Sequence, residues 1–176
     1  MAERASTVWQ YRLLFVCLAA VVGFVHLLPI NTGVEQLPGP DVLLLIALSW
    51  TVMRPKYVPV FLLAAVFLLA DLLFMRPPGL WTMLVVLACE FLRSRRVLLR
   101  NAQFPVEWLL VAAVIVGMTL ANALMLGLFG VPQPTAGLTV MRMLFTILCY
   151  PLVMILAGRS FGLTRPTKER EGLGSR

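Results

Sequence analysis

Charge is scarce in this chain: only 13% of its 176 residues are Asp, Glu, Lys or Arg, and only 8 are acidic. Ordinary soluble domains carry about 25% charged residues. With 60% hydrophobic residues and a mean hydropathy of +0.91, a soluble fold of this length cannot hide its apolar surface, so the solvent it is built for is lipid. Histidine is almost absent. The single residue, His26, has no second imidazole to share a metal with and no acid beside it to make a base. The three cysteines, Cys17, Cys89 and Cys149, are odd in number, each sits inside an apolar run, and no two lie at metal-ligand spacing. That excludes a disulfide framework and a cysteine metal site, and they read as small hydrophobes. There is no P-loop, dinucleotide fingerprint, nucleophile elbow or zinc pattern, and Ser49 and Ser160 have no base nearby in sequence. The expectation is a protein that is not an enzyme, with no cofactor and no metal.

What the chain does have is basic residues and apolar runs. Lys and Arg number 15 against 8 acids, a formal net charge of +7. No basic face with interleaved exposed aromatics accompanies them, so nucleic acid is not expected as a partner. In a membrane chain, basic loops set orientation instead.

The apolar runs cover residues 13–28, 42–53, 58–74, 80–92, 108–129 and 143–157, the last interrupted by Pro151. They predict an all-α fold, a polytopic bundle of six transmembrane helices in one domain over 13–158. A cytoplasmic head (1–12) precedes it, and a basic, disordered cytoplasmic tail (159–176) follows. The first run has a basic start but no small-x-small cleavage site after it, and reads as a retained span rather than a signal peptide. The second run is short. From Pro40 to Arg54 it reaches about 22 Å as helix, against a hydrocarbon core of about 30 Å. It reads either as re-entrant or as a buried helix packed against longer neighbours. Loop charge decides between these. With six spans and the N-terminus inside, 13 of the 15 basic residues lie on the inner side, leaving only Arg76 and Arg142 outside. A re-entrant second run would turn Arg93, Arg95, Arg96 and Arg100 outward, against the positive-inside rule. Both termini are therefore expected in the cytoplasm.

Few polar residues remain to carry a function. Asp41 follows Pro40 at a helix start, where its carboxylate can accept the free N–H groups of the first turn. Asp71 lies inside an apolar run one turn from its end, and such acids face protein or water rather than lipid. Arg76-Pro77-Pro78-Gly79 breaks the helix after it, and Trp81 opens the next run. Asp41, Asp71, Arg76 and Trp81 form the candidate polar cluster or partner contact near the outer face. The bland reading of Asp71 is a shallow acid paired with Arg76 or with the neighbourhood of Asp41. Glu90 has Arg93 three residues on, an ion-pair spacing. Asp71 and Glu90 differ in depth by about 10 Å across the hairpin, too far for a two-acid site. Arg93, Arg95, Arg96 and Arg100 make a cytoplasmic basic patch suited to an acidic partner or anionic lipid. Asn122 is a candidate for a hydrogen bond between helices. Trp9, Trp81 and Trp108 fall at expected interfaces.

Gly39-Pro-Asp-Val-Leu-Leu-Leu, Ser49-Trp50, Arg54-Pro55, the segment from Leu69 through Asp71, Arg76 and Gly79 to Trp81, and Glu90-Phe-Leu-Arg-Ser-Arg-Arg96 together resemble the MreD family, the rod shape-determining membrane proteins of bacteria. The resemblance covers nearly the whole chain and is sharpest over residues 38–96. The chain departs from the family at Pro77-Pro78, where a single proline is expected. The resemblance implies a non-catalytic, multi-pass subunit of the bacterial cytoplasmic (inner) membrane. It would act with MreC and the MreB filament, and through the elongation complex with RodA and a penicillin-binding protein, in cell shape and lateral peptidoglycan synthesis. The family's fold is similar to substrate-binding subunits of vitamin transporters, and the alternative reading is such a small-molecule-binding subunit, for which Asp41, Asp71 and Arg76 are the candidate pocket.

Overall fold

The computed structural model describes residues 2–28, 39–96, 99 and 103–160. Among them the chain forms six helices: α1 (Ala2–Leu27), α2 (Val42–Met53), α3 (Val60–Leu73), α4 (Leu80–Ser94), α5 (Phe104–Leu128) and α6 (Ala136–Ser160). Three stretches are long and apolar enough to cross a membrane: Thr7–Leu27, Phe104–Leu128 and Ala136–Gly158. α2 and α3 are shorter apolar helices.

Three helices begin before their apolar runs, while α3 begins two residues after its own. α1 begins at Ala2, so the described part of the head expected over 1–12 is helical and continuous with the first apolar run. α5 and α6 begin four and seven residues before the apolar runs do. The extension of α1 runs through the helix formers Ala2, Glu3, Arg4 and Ala5, and Pro105 supplies a favoured first-turn residue for α5. The tail beyond Ser160 lies outside the described residues.

α2 is the centre of the bundle. Leu44, Leu45, Ala47, Leu48 and Trp50 are buried, and so are Ser49 and Thr51. A helix that is apolar all round packs on all sides, and α2 lies against α4 and α6 and more lightly against α1. At 12 residues it is about 18 Å long, which is tolerable because its ends meet protein rather than lipid. α3 packs on α4, α4 on α5, and α5 on α6. The long helices bury only 17–22% of their apolar windows. Phe61, Leu109, Leu124 and Leu128 stand outward, between 69% and 89% exposed. An apolar surface this extensive belongs in hydrocarbon.

Successive helices alternate in direction. His26 meets Phe74 with ring centroids 4.5 Å apart, which joins the end of α1 to the end of α3. At the other end, Tyr11 stacks on Tyr57 at 4.5 Å and Phe15 meets Trp50 at 5.7 Å. One pole of the bundle therefore gathers the end of α1, the start of α2, the α3–α4 turn and the α5–α6 loop. The opposite pole gathers the end of α2, the start of α3 and the end of α4.

Candidate functional site

At the pole marked by Asp41, the turns are set by local sequence. α3 ends in a Schellman closure. Arg76 N–H donates to Asp71 C=O at 3.0 Å and Met75 N–H to Leu72 C=O at 3.4 Å, with Met75 in the left-handed region at φ 50°. Pro77 and Pro78 cannot extend the helix. Gly79 then adopts φ 91°, a conformation that costs an L side chain about 1–2 kcal/mol, and α4 begins.

Asp71 is placed by this turn. It is fully buried, and its Oδ2 accepts three hydrogen bonds, from Gly79 N–H at 3.2 Å, Thr82 N–H at 3.1 Å and Thr82 Oγ1 at 2.8 Å. A side chain of α3 thus caps the N-terminus of α4, taking orphan amide donors at the positive end of the helix dipole. This corrects two expectations. Asp71 makes no side-chain ion pair with Arg76 among the described residues. With no exposed surface it cannot touch a partner. Sequence placed the acid correctly near the turn; the three donors waiting beyond Pro77-Pro78 gave no sign in the chain.

Asp41 caps α2 as its sequence predicts, with Oδ1 accepting Leu44 N–H at 3.1 Å. Its Oδ2 faces two cations: Arg142 Nη2 at 3.1 Å and Arg76 Nη1 at 3.9 Å. Asp41 N–H donates to Thr146 Oγ1 at 3.1 Å, and that hydroxyl donates to Arg142 C=O at 2.7 Å. The start of α2 is therefore tied to the second and third turns of α6. Arg76 sits 5.3 Å from the Phe74 ring centroid and 5.7 Å from that of Trp81, a cation held against two aromatic faces. Burial presses the Arg76 guanidinium down from its ordinary value; Asp41 raises it, Arg142 lowers it and Asp71 raises it again. An arginine stays charged through all of this. The cluster is Asp41, Arg76 and Arg142, with Trp81 as its wall. Arg142 and Thr146 were missing from the sequence expectation. Arg142 stands just before the last apolar run, where an orientation-setting arginine and a cluster member read alike.

These groups border a cavity of about 310 Å³. α5 contributes Ile115, Thr119, Asn122 and Leu126, one helical stripe, and α6 contributes Thr139, Arg142, Met143 and Thr146. Asn122 lines this cavity and makes no hydrogen bond between helices among the described residues. Asp71 is not among the lining residues.

The opposite pole is held differently. Arg93 pairs with Glu90 at 2.6 Å and also donates through Nη2 to Val58 C=O. Arg93 is therefore a strut between α4 and the α2–α3 connection, while Arg95 and Arg96 are exposed and Arg95 lies 5.5 Å over the Phe91 ring. Arg100 lies outside the described residues. Glu107, fully buried, accepts from Tyr150 OH at 3.0 Å. Sequence reading started the fifth run at Trp108 and so passed over the acid just before it. Trp108 Nε1 donates to Ile147 C=O at 3.1 Å. Pro151, four residues on, has no N–H to offer that carbonyl, and the indole takes its place.

No group of three or more His, Cys, Asp or Glu able to hold a metal ion occurs among the described residues. Comparison with protein-family models, curated proteins and solved structures finds no match.

Proposed function

We propose that this chain is an MreD-like, non-catalytic subunit of the bacterial cell-elongation complex. It sits in the cytoplasmic membrane with six spans and both termini inside, and it gives MreC, and through it MreB, RodA and a penicillin-binding protein, a membrane surface to assemble on. What carries the reading is the stretch from residue 38 to 96, whose residues resemble the family. Those same residues fix the hairpin: Asp41 caps α2, Asp71 caps α4, and Arg54-Pro55 ends α2. The partly exposed ion cluster, with Arg142 38% and Arg76 25% exposed, is the contact offered to MreC; Asp71 holds it in position from beneath. Depletion of the protein in its host should convert rods to round cells, and tagged protein should co-purify MreC. Charge reversal at Arg76 or Arg142 should cut the yield of that complex severalfold. Rods that persist through depletion would remove the reading.

The cavity beside the cluster favours one second reading, a small-molecule-binding subunit of a transporter. Solute uptake lost on depletion, with cell shape intact, would select it over the first.

A further inference from the structure

The ion cluster is unbalanced, and the cavity beside it is rich in donors. Two guanidinium groups converge on a single carboxylate oxygen, Asp41 Oδ2. That oxygen also belongs to a carboxylate engaged as a helix cap through its other oxygen. In direct contact one carboxylate therefore answers two guanidinium groups, with the Asp71 charge acting on Arg76 from farther off, and most of the ten N–H donors of the two arginines have no partner in the cluster. Two further side chains that carry N–H donors border the same space. Trp81 lines the cavity, and its indole N–H is buried without a hydrogen-bond partner among the described residues. The Asn122 amide lies on the α5 stripe facing it. The remaining walls are mainly apolar, including Leu44, Ile115, Leu126 and Met143, with Thr119, Thr139 and Thr146 among them.

We infer that this cavity is an anion site for an amphiphile: a phosphate or carboxylate head held by Arg76 and Arg142, with an apolar body against α5 and α6. Planar guanidinium forks match both head groups in bidentate fashion. A low-dielectric setting strengthens the pairing. A volume of about 310 Å³ is at the small end for ligand pockets; it holds a head group and the first part of a chain, leaving the remainder of a long chain outside. The head group defines the site, and it reaches the protein either on a membrane lipid or on a soluble fatty acid. The inference goes beyond the scaffold reading and does not rest on it, because it is tested on the isolated protein.

The test uses the full chain purified in a neutral maltoside detergent. Binding is read from tryptophan fluorescence and from the shift in thermal unfolding. The probes are short-chain phosphatidylglycerol, octanoate, and short-chain phosphatidylcholine as the neutral control. A saturable response to either anionic amphiphile, well above that to phosphatidylcholine, is expected. Response to phosphatidylglycerol alone identifies a lipid source, and response to octanoate alone a soluble acid. Arg142→Gln should weaken the response by about tenfold or more, the loss of one charge-assisted pair. Asp41→Asn, which keeps an α2 cap but frees both arginines, should strengthen it severalfold. These opposite signs separate an anion site from a structural ion cluster, in which both variants lose stability and neither gains affinity. No response to either anion, equal response to phosphatidylcholine, or weakening by Asp41→Asn overturns the inference. Thermal unfolding without ligand shows that each variant is folded.

Discussion

Asp71 shows how a buried acid can be structural in a membrane chain. Three donors aim at one of its oxygens, two of them at the start of the next helix. Asp71→Ala leaves those donors buried and unpaired, at about 1–3 kcal/mol per group lost. Asp71→Asn can present its carbonyl oxygen to the same donors and gives up mainly the charge–dipole part, about 0.3–1 kcal/mol. Thermal unfolding in detergent should therefore rank wild type, Asp71→Asn and Asp71→Ala in falling order. Equal loss in both variants contradicts capping. A second residue-level case is Trp108. Its indole serves the carbonyl that Pro151 leaves free, so Trp108→Phe should cost about 1–2 kcal/mol in the native chain. In a Pro151→Ala background, where the backbone N–H returns, it should cost clearly less, and a double-mutant cycle of unfolding free energies measures the difference.

The elements were legible from sequence to the extent that a single physical cause set them. Asp41 after Pro40 announced a cap, and that cap is present. Arg93 three residues after Glu90 announced a pair, and the pair is present. Pro77-Pro78-Gly79 announced a break, and α3 and α4 part there. What the chain did not announce were contacts between side chains far apart in sequence. Arg142 lies 101 positions from Asp41, and Tyr150 lies 43 from Glu107. Nothing local distinguishes an arginine that sets orientation from one that completes a cluster. The short α2 is a related case. Length alone argued against a span, and burial among neighbours supplies the reason it is tolerated. Gly79, at positive φ, is where the α3–α4 element is most sensitive: Gly79→Val should lower the unfolding temperature measurably, while Gly117→Ala, with open space around it, should leave it unchanged or slightly raised.

The molecule as a whole is polarised. One pole carries Asp41, Arg76, Arg142 and the cavity, and the other carries Arg54, Arg93, Arg95 and Arg96. The functional reading depends on these poles lying on opposite sides of the membrane, cluster outward and arginines inward. The direct measurement is cysteine labelling in intact cells. Cys17, Cys89 and Cys149 are first replaced by Ala, and single cysteines are then introduced by Ser94→Cys and Gln133→Cys, both at exposed positions. A membrane-impermeant maleimide should label the Gln133→Cys protein in intact cells, and the Ser94→Cys protein only after the membrane is opened. Labelling of Ser94→Cys from outside would contradict the six-span arrangement, and with it the placement of the cluster where MreC or an external amphiphile could reach it.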